Sequence, residues 1–296
     1  MKFKIYVAGL GLLIGAMAKG QMTNSVNLPM THLAASNHFF SGPHKKGCLT
    51  SKLDVTVGAG LANYYGDLTE NFHLWNQSSY ALSLGVVYPV IPHLNVRTDI
   101  GFMQVGAKDS KNKRADLKNR NLSFKSAIWD AALTIEVDVL NLQKHKFSPY
   151  AFAGFGAFYF NPYTTDAAGY KQFLQYLGTE GQGLSMYPER HMYKRVQFEV
   201  PFGGGLKYRV NKKVTLQLEF RYRKTNTDYI DDVSRSGYPN KAALDARNPR
   251  SATLTWRGGE VGAGPYPTNP GLNRGNPNNN DAFYTTQFKV TFHPFK

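Results

Sequence analysis

Gly203, Gly204 and Gly205 lie just before Lys207 in FEVPFGGGLKYRV, residues 198–210. A phosphate-cradling loop uses this combination, because bare backbone amides approach the phosphates and a lysine ammonium meets their charge. Such a loop must leave a strand and open a helix that carries Lys and then Ser or Thr. Here Lys207 runs on into Tyr208, Arg209 and Val210, and large apolar residues alternate with charges on both sides. The stretch is therefore read as a strand, and no nucleotide or other small-molecule substrate is predicted.

The other reactive side chains are scattered. His32, His38, His44, His73, His93, His145, His191 and His293 show no HxxxH spacing, so no metal or other cofactor is predicted. His191, in PERHMYKR, stands beside Glu189 and near Ser185, which allows a Ser/His/Glu lipase centre as an alternative to ordinary loop residues. Asp231 and Asp232, in TDYIDDVS, suit calcium or, more simply, a capped turn. Cys48 is the single cysteine, so no internal disulfide forms.

The elements that must position these residues repeat with a period of two from residue 53 onward. Val55 and Val57 alternate with Asp54 and Thr56, Leu82 and Leu84 with Ser83 and Gly85, and Leu133 and Ile135 with Thr134 and Glu136. The same pattern runs through 94–102, 198–208, 214–223 and 284–292. YAFAGFGAFYF (150–160) is aromatic on both faces and cannot be assigned a side. This predicts eight strands of about ten residues, the length of a tilted membrane-crossing strand. Short links (89–93, 141–147, 211–213) alternate with long ones (66–79, 104–125, 161–196, 225–282). The fold class predicted is all-β: an eight-stranded antiparallel up-and-down outer-membrane barrel with short periplasmic turns and long extracellular loops. Both termini then face the periplasm. A soluble sandwich also alternates, but it rarely places so many glycines beside mixed charges on its second face.

Residues 1–20 read as an export signal, with MKFK as the basic region, an apolar core, and cleavage before Gln21. Residues 21–52 form a periplasmic tail in which His44, Lys45, Lys46 and Cys48 are the predicted partner-binding group, and 53–296 form the barrel. Inside it, Asp54, Arg97, Asp99, Glu136, Asp138, Glu199, Lys207, Arg209, Glu219, Arg221, Arg223 and Lys289 are predicted to neutralise one another as a plug. Gly58, Gly60, Gly85, Gly101, Gly203 and Gly205 share that inward face and leave room for larger neighbours in a narrow lumen.

Lys and Arg outnumber Asp and Glu by 35 to 20, a net charge of +15, and aromatic residues make up 14%. In an exported barrel this favours acidic lipid or acidic protein as partner, with no nucleic acid. The basic stretch AKDSKNKRADLKNR (107–120) suits lipopolysaccharide phosphates or a solvated loop equally. Residues 257–281, rich in Gly, Pro and Asn, are predicted to be mobile and without core residues.

NYYGDL (63–68), LSFKS (122–126), PYAFAGFGAFYFNP (149–162), LGTEGQG (177–183), PFGGGLKY (201–208) and TDYIDDVS (227–234) follow one another in order. As a set they resemble the PorG family of outer-membrane barrels in the type IX secretion machinery of Bacteroidota. The resemblance covers roughly residues 53–296. It implies a non-enzymatic accessory of protein secretion, associated with the periplasmic ring of the lipoprotein PorK and PorN. That machinery exports proteins with a C-terminal signal, including proteases and gliding adhesins. The family offers no catalytic residues to carry over. Under this reading Cys48 forms a disulfide with a ring subunit or lies beside it. The alternatives are a lipid-modifying enzyme centred on Ser185 and His191, or a small-solute channel.

Overall fold

Alternation sends successive side chains to opposite sides of an extended chain, so a long alternating sequence must present two different environments with its two faces. A computed structural model of the chain describes residues 53–69, 77–234, 236–269, 272–276 and 279–294. Its strands are β1 (Asp54–Tyr65), β2 (Ser79–Ile91), β3 (Leu94–Lys108), β4 (Ser123–Asp138), β5 (Phe147–Thr165), β6 (Lys171–Phe173), β7 (Val196–Arg209), β8 (Val214–Thr225) and β9 (Ala282–Phe292). Apart from β6, each strand pairs antiparallel with its neighbour around a ring, and β9 returns to β1 to close it. The result is a closed eight-stranded barrel. Closure removes the edges that would otherwise leave backbone groups unsatisfied in lipid. β6 is an addition the alternation did not predict; it pairs with the upper end of β5.

The outward face is a continuous apolar surface. Val57, Leu84, Ile100, Trp129, Ile135, Phe155, Phe198, Leu218 and Phe288 are all exposed there. On β5, Tyr150, Phe152, Phe158 and Phe160 are buried inside, while Ala151, Ala153, Phe155 and Tyr159 face out. This settles the strand whose two aromatic faces the sequence leaves equivalent. No helix among the described residues is long and apolar enough to cross a membrane.

The eight barrel strands run from 11 residues in β9 to 19 in β5, longer than the ten expected. At about 3.3 Å per residue and a tilt near 40°, such strands outrun an apolar band roughly 25 Å tall. Their surplus lies at the end with the long connections. There the loops fold into a cap with α1 (Ala115–Arg120), α2 (Leu174–Leu177), α3 (Lys241–Arg247) and α4 (Pro249–Thr255). Leu68, Leu122, Leu174, Ile230, Val233 and Leu254 of the loops join Phe124, Ile128, Phe158, Phe160 and Phe283 of the strands in one apolar core. The lumen therefore has two storeys, charged near the short turns and apolar beneath the cap. The stretch 257–281 departs from its expectation: it holds a short 3-10 turn, Gly258–Val261, and buries Arg274 and Asp281. Hydrogen bonds, rather than apolar residues, hold these side chains in place.

Candidate functional site

β3 and β8 stand four strands apart around the ring, so side chains from them meet across the lumen. Arg97 lies at the centre. Its guanidinium is 2.8 Å from Asp99, 2.7 Å from Glu136 and 2.7 Å from Glu219. Arg221 pairs with Asp99 at 2.6 Å and with Glu219 at 3.2 Å. Lys289 pairs with Glu219 at 2.9 Å and Asp99 at 3.4 Å. Lys207 reaches Asp138 at 2.7 Å and also Glu136. Arg223 holds Asp130 at 2.8 Å. Each of these groups is almost fully buried. A lone buried charge costs several kcal/mol, so the set is stable only because every cation meets a carboxylate, and Arg97, Arg221 and Lys289 each meet carboxylates on two or more strands.

Most of the predicted interior set is thus brought together. Glu199 is its outlier, buried 3.7 Å from Arg223 with no hydrogen bond among the described residues. Asp54 sits at the mouth, 2.8 Å from His293. Arg209 is half-buried at the same mouth and makes no ion pair among the described residues. It lines a cavity of about 600 Å³ whose wall includes Glu136, Asp138, Lys207, Pro89 and Leu142. Cys48, His44, Lys45 and Lys46, with the whole signal and tail, lie outside the described residues.

Asp130 completes the network and was not in the predicted set, though it occupies an inward position of its strand. Two aromatic residues were also missed. The Phe152 ring lies 4.8 Å from the Arg97 guanidinium and 5.0 Å from that of Arg221. The Tyr150 hydroxyl donates to Glu219 at 3.0 Å. Both rings depend on the glycines that first suggested a phosphate loop. In the β5–β7 ladder Phe152 is paired with Gly203 and Tyr150 with Gly205. A Cβ on Gly203 would come within 3.0 Å of the Phe152 ring, and one on Gly205 within 2.9 Å of the Tyr150 ring.

The cap has a polar core of its own, and three of the quoted motifs meet in it. Tyr64 of NYYGDL has its hydroxyl 2.7 Å from Asp231 and 2.6 Å from Asp281. Asp232 of TDYIDDVS accepts from Tyr193 at 2.8 Å and from Thr179 of LGTEGQG. Glu180 accepts from the Ser234 amide at 2.8 Å and from Arg274 at 3.1 Å. Arg120 grips Asp109 with two bonds of 2.7 and 2.8 Å. Asp231 and Asp232 therefore form a hydrogen-bonded turn; Asp232 takes a left-handed backbone, φ 66°. No group of carboxylates and histidines able to hold a metal occurs among the described residues.

Burial pushes the Asp232 carboxyl up to about 7 and that of Asp67 up to about 6. Burial, with the neighbouring carboxylates Asp281 and Asp67, also raises Asp231 well above the carboxylate range. These groups keep protons that the unfolded chain releases near pH 4. Their stabilising contribution is complete below that pH and is lost as pH rises through about 7. Amide exchange in residues 229–234, corrected for intrinsic rate, is expected to show a more stable cap at pH 5 than at pH 8, by on the order of a few kcal/mol. Asp232→Asn, which tolerates the left-handed backbone, is expected to flatten that dependence; an unchanged pH profile would reject this assignment.

Of the Ser/His/Glu alternative, Glu189 and His191 line one cleft. His191 lines an open cleft of about 580 Å³ with Asp228, Tyr229 and Ser234, but Ser185 is not among its lining residues. Of the basic 107–120 loop, Arg120 is spent inside the cap, while Lys113 and Lys118 are exposed.

A closed antiparallel cylinder with an apolar exterior, an ion-filled interior and a folded loop cap defines an integral outer-membrane barrel. The chain belongs to the outer membrane protein beta-barrel domain family, whose pattern matches residues 33–247. The chain is similar to several solved structures. Neisserial surface protein A is 11% identical, with 82% of this chain and 97% of that one covered and a TM-score of 0.41. OprG from Pseudomonas aeruginosa is 12% identical, with 81% and 96% covered and a TM-score of 0.37. The outer membrane enzyme PagL is 12% identical, with 81% and 98% covered and a TM-score of 0.32. No curated protein matches the chain.

Proposed function

We propose that this protein is a non-enzymatic outer-membrane component of the type IX secretion machinery, holding the periplasmic PorK/PorN ring at the membrane. The barrel would be the fixed station. The short turns and the 21–52 tail would face the periplasm and carry the ring, and the capped end would face outward. The observation that carries this reading is the buried ion network. It braces the lumen from β3 to β8 and fills it with paired side chains, which suits a rigid anchor better than a conduit. The ordered set of motifs resembling the PorG family supports the choice of machinery.

Purification of the tagged protein in mild detergent is expected to bring PorK and PorN with it, and deletion is expected to abolish export of proteins with the C-terminal signal. Normal export after deletion, with no ring subunit in the purified material, would end this proposal. Altered lipid A in the deletion strain would favour the enzyme alternative instead. Stepwise currents in planar bilayers would favour the channel.

A further inference from the structure

On β4, β5 and β7 the lipid-facing surface stops at one level. The ladders place Trp129 beside Tyr159 and Tyr159 beside Val196, all exposed. Above that level the outward positions change character. Arg195 directly precedes Val196, and Lys125 stands opposite Tyr163, four residues beyond Tyr159 on β5 and on the same face. There β6 takes the place of β7 as the neighbour of β5, pairing Tyr163 with Phe173 and Thr165 with Lys171.

Two of the cations lie on aromatic rings. Lys171 Nζ is 3.8 Å from the Tyr163 ring centre and 4.7 Å from that of Phe173. The Arg195 guanidinium is 5.6 Å from Tyr159 and 5.5 Å from Tyr176. Lys125, Lys171 and Arg195 form no ion pair among the described residues. The carboxylate of the β5–β6 turn, Asp166, is occupied by the amides of Ala168 and Tyr170 and by Gln172. The chain thus pairs its cations with carboxylates inside the lumen, yet leaves these three open just above the acyl-facing belt. Aromatic girdles mark the membrane interface, and cations at that height complement phosphate headgroups.

We propose that this surface binds the phosphates of lipid A in the outer leaflet. The acyl chains lie against Trp129 and Phe198, and the phosphates lie on Lys125, Lys171 and Arg195. The assignment rests on the orientation proposed above, with the capped end outward.

The full chain in detergent is titrated with bisphosphorylated lipid A in mixed micelles, and binding is read by native mass spectrometry. The combined Lys125→Gln, Lys171→Gln and Arg195→Gln variant is expected to bind about tenfold more weakly. Lys212→Gln with Lys213→Gln, exposed on the short turn at the opposite end of the barrel, is expected to bind lipid A like the parent. Folding of each variant is checked by its heat-modifiable migration, and Lys125→Gln alone, expected to lose a smaller part of the affinity, serves should the combined variant not fold. Equal affinity of parent and patch variant, or equal binding of dephosphorylated lipid A, would overturn the phosphate assignment. Phosphatidylglycerol binding as tightly as lipid A would overturn the choice of glycolipid. Because these titrations use purified barrel, loss of the ring partners leaves them unaffected. Protease access to the long loops on intact cells tests the orientation separately.

Discussion

Glu219→Ala is expected to lower the stability of the folded barrel by roughly 3–5 kcal/mol, because it leaves buried cations uncompensated. Glu219, like Asp99, is shared by Arg97, Arg221 and Lys289, and it also accepts from Tyr150. Its removal leaves positive charges facing one another in the buried interior. Val57→Ala, on the lipid-facing side of β1, trims only an exposed side chain and is expected to cost about 1 kcal/mol or less. The two variants separate the interior from the exterior by size of effect. The measurement is the denaturant midpoint of the barrel refolded into vesicles. A Glu219→Ala loss no greater than that of Val57→Ala would mean that the lumen is hydrated and the network contributes little.

Gly205→Val is expected to be nearly as damaging, at about 2–4 kcal/mol, combining overpacking with a lost hydrogen bond to a charged group. A side chain at 205 would meet the Leu218 carbonyl at 2.1 Å and the Tyr150 ring at 2.9 Å. The Leu218 carbonyl belongs to the β7–β8 ladder, so relieving that contact disturbs the ladder, while the Tyr150 ring can move aside and in doing so releases Glu219. Gly205→Val combined with Tyr150→Ala is expected to recover part of the loss, since the ring is the movable obstacle. If the double variant is no better than the single one, the clash with the β8 backbone dominates and the aromatic account is wrong. Val at Gly264, where an added Cβ meets nothing within 4 Å, would test backbone strain without packing, because φ there is +98°.

The residue order was enough to reveal the eight barrel strands and, except on β5, their two faces. Lipid contact on one side forces an apolar residue at every second position, and Val55 to Leu61 or Leu133 to Val139 can be read directly. The inward charges were legible for the same reason. Their partners were not, because Arg97 and Glu219 are distant in sequence and meet only when the sheet has closed. The assignment of β5 needed its register with β7: Tyr150 and Phe152 turn inward because Gly205 and Gly203 leave them space. The cap was the least visible part. Its loops lack any period, and its core is joined by polar residues such as Tyr64, Asp232 and Arg274, whose types equally suit an open, solvated turn. Pattern in a chain reports what repeats locally, whereas which buried charge finds which counter-charge depends on geometry that closure alone creates.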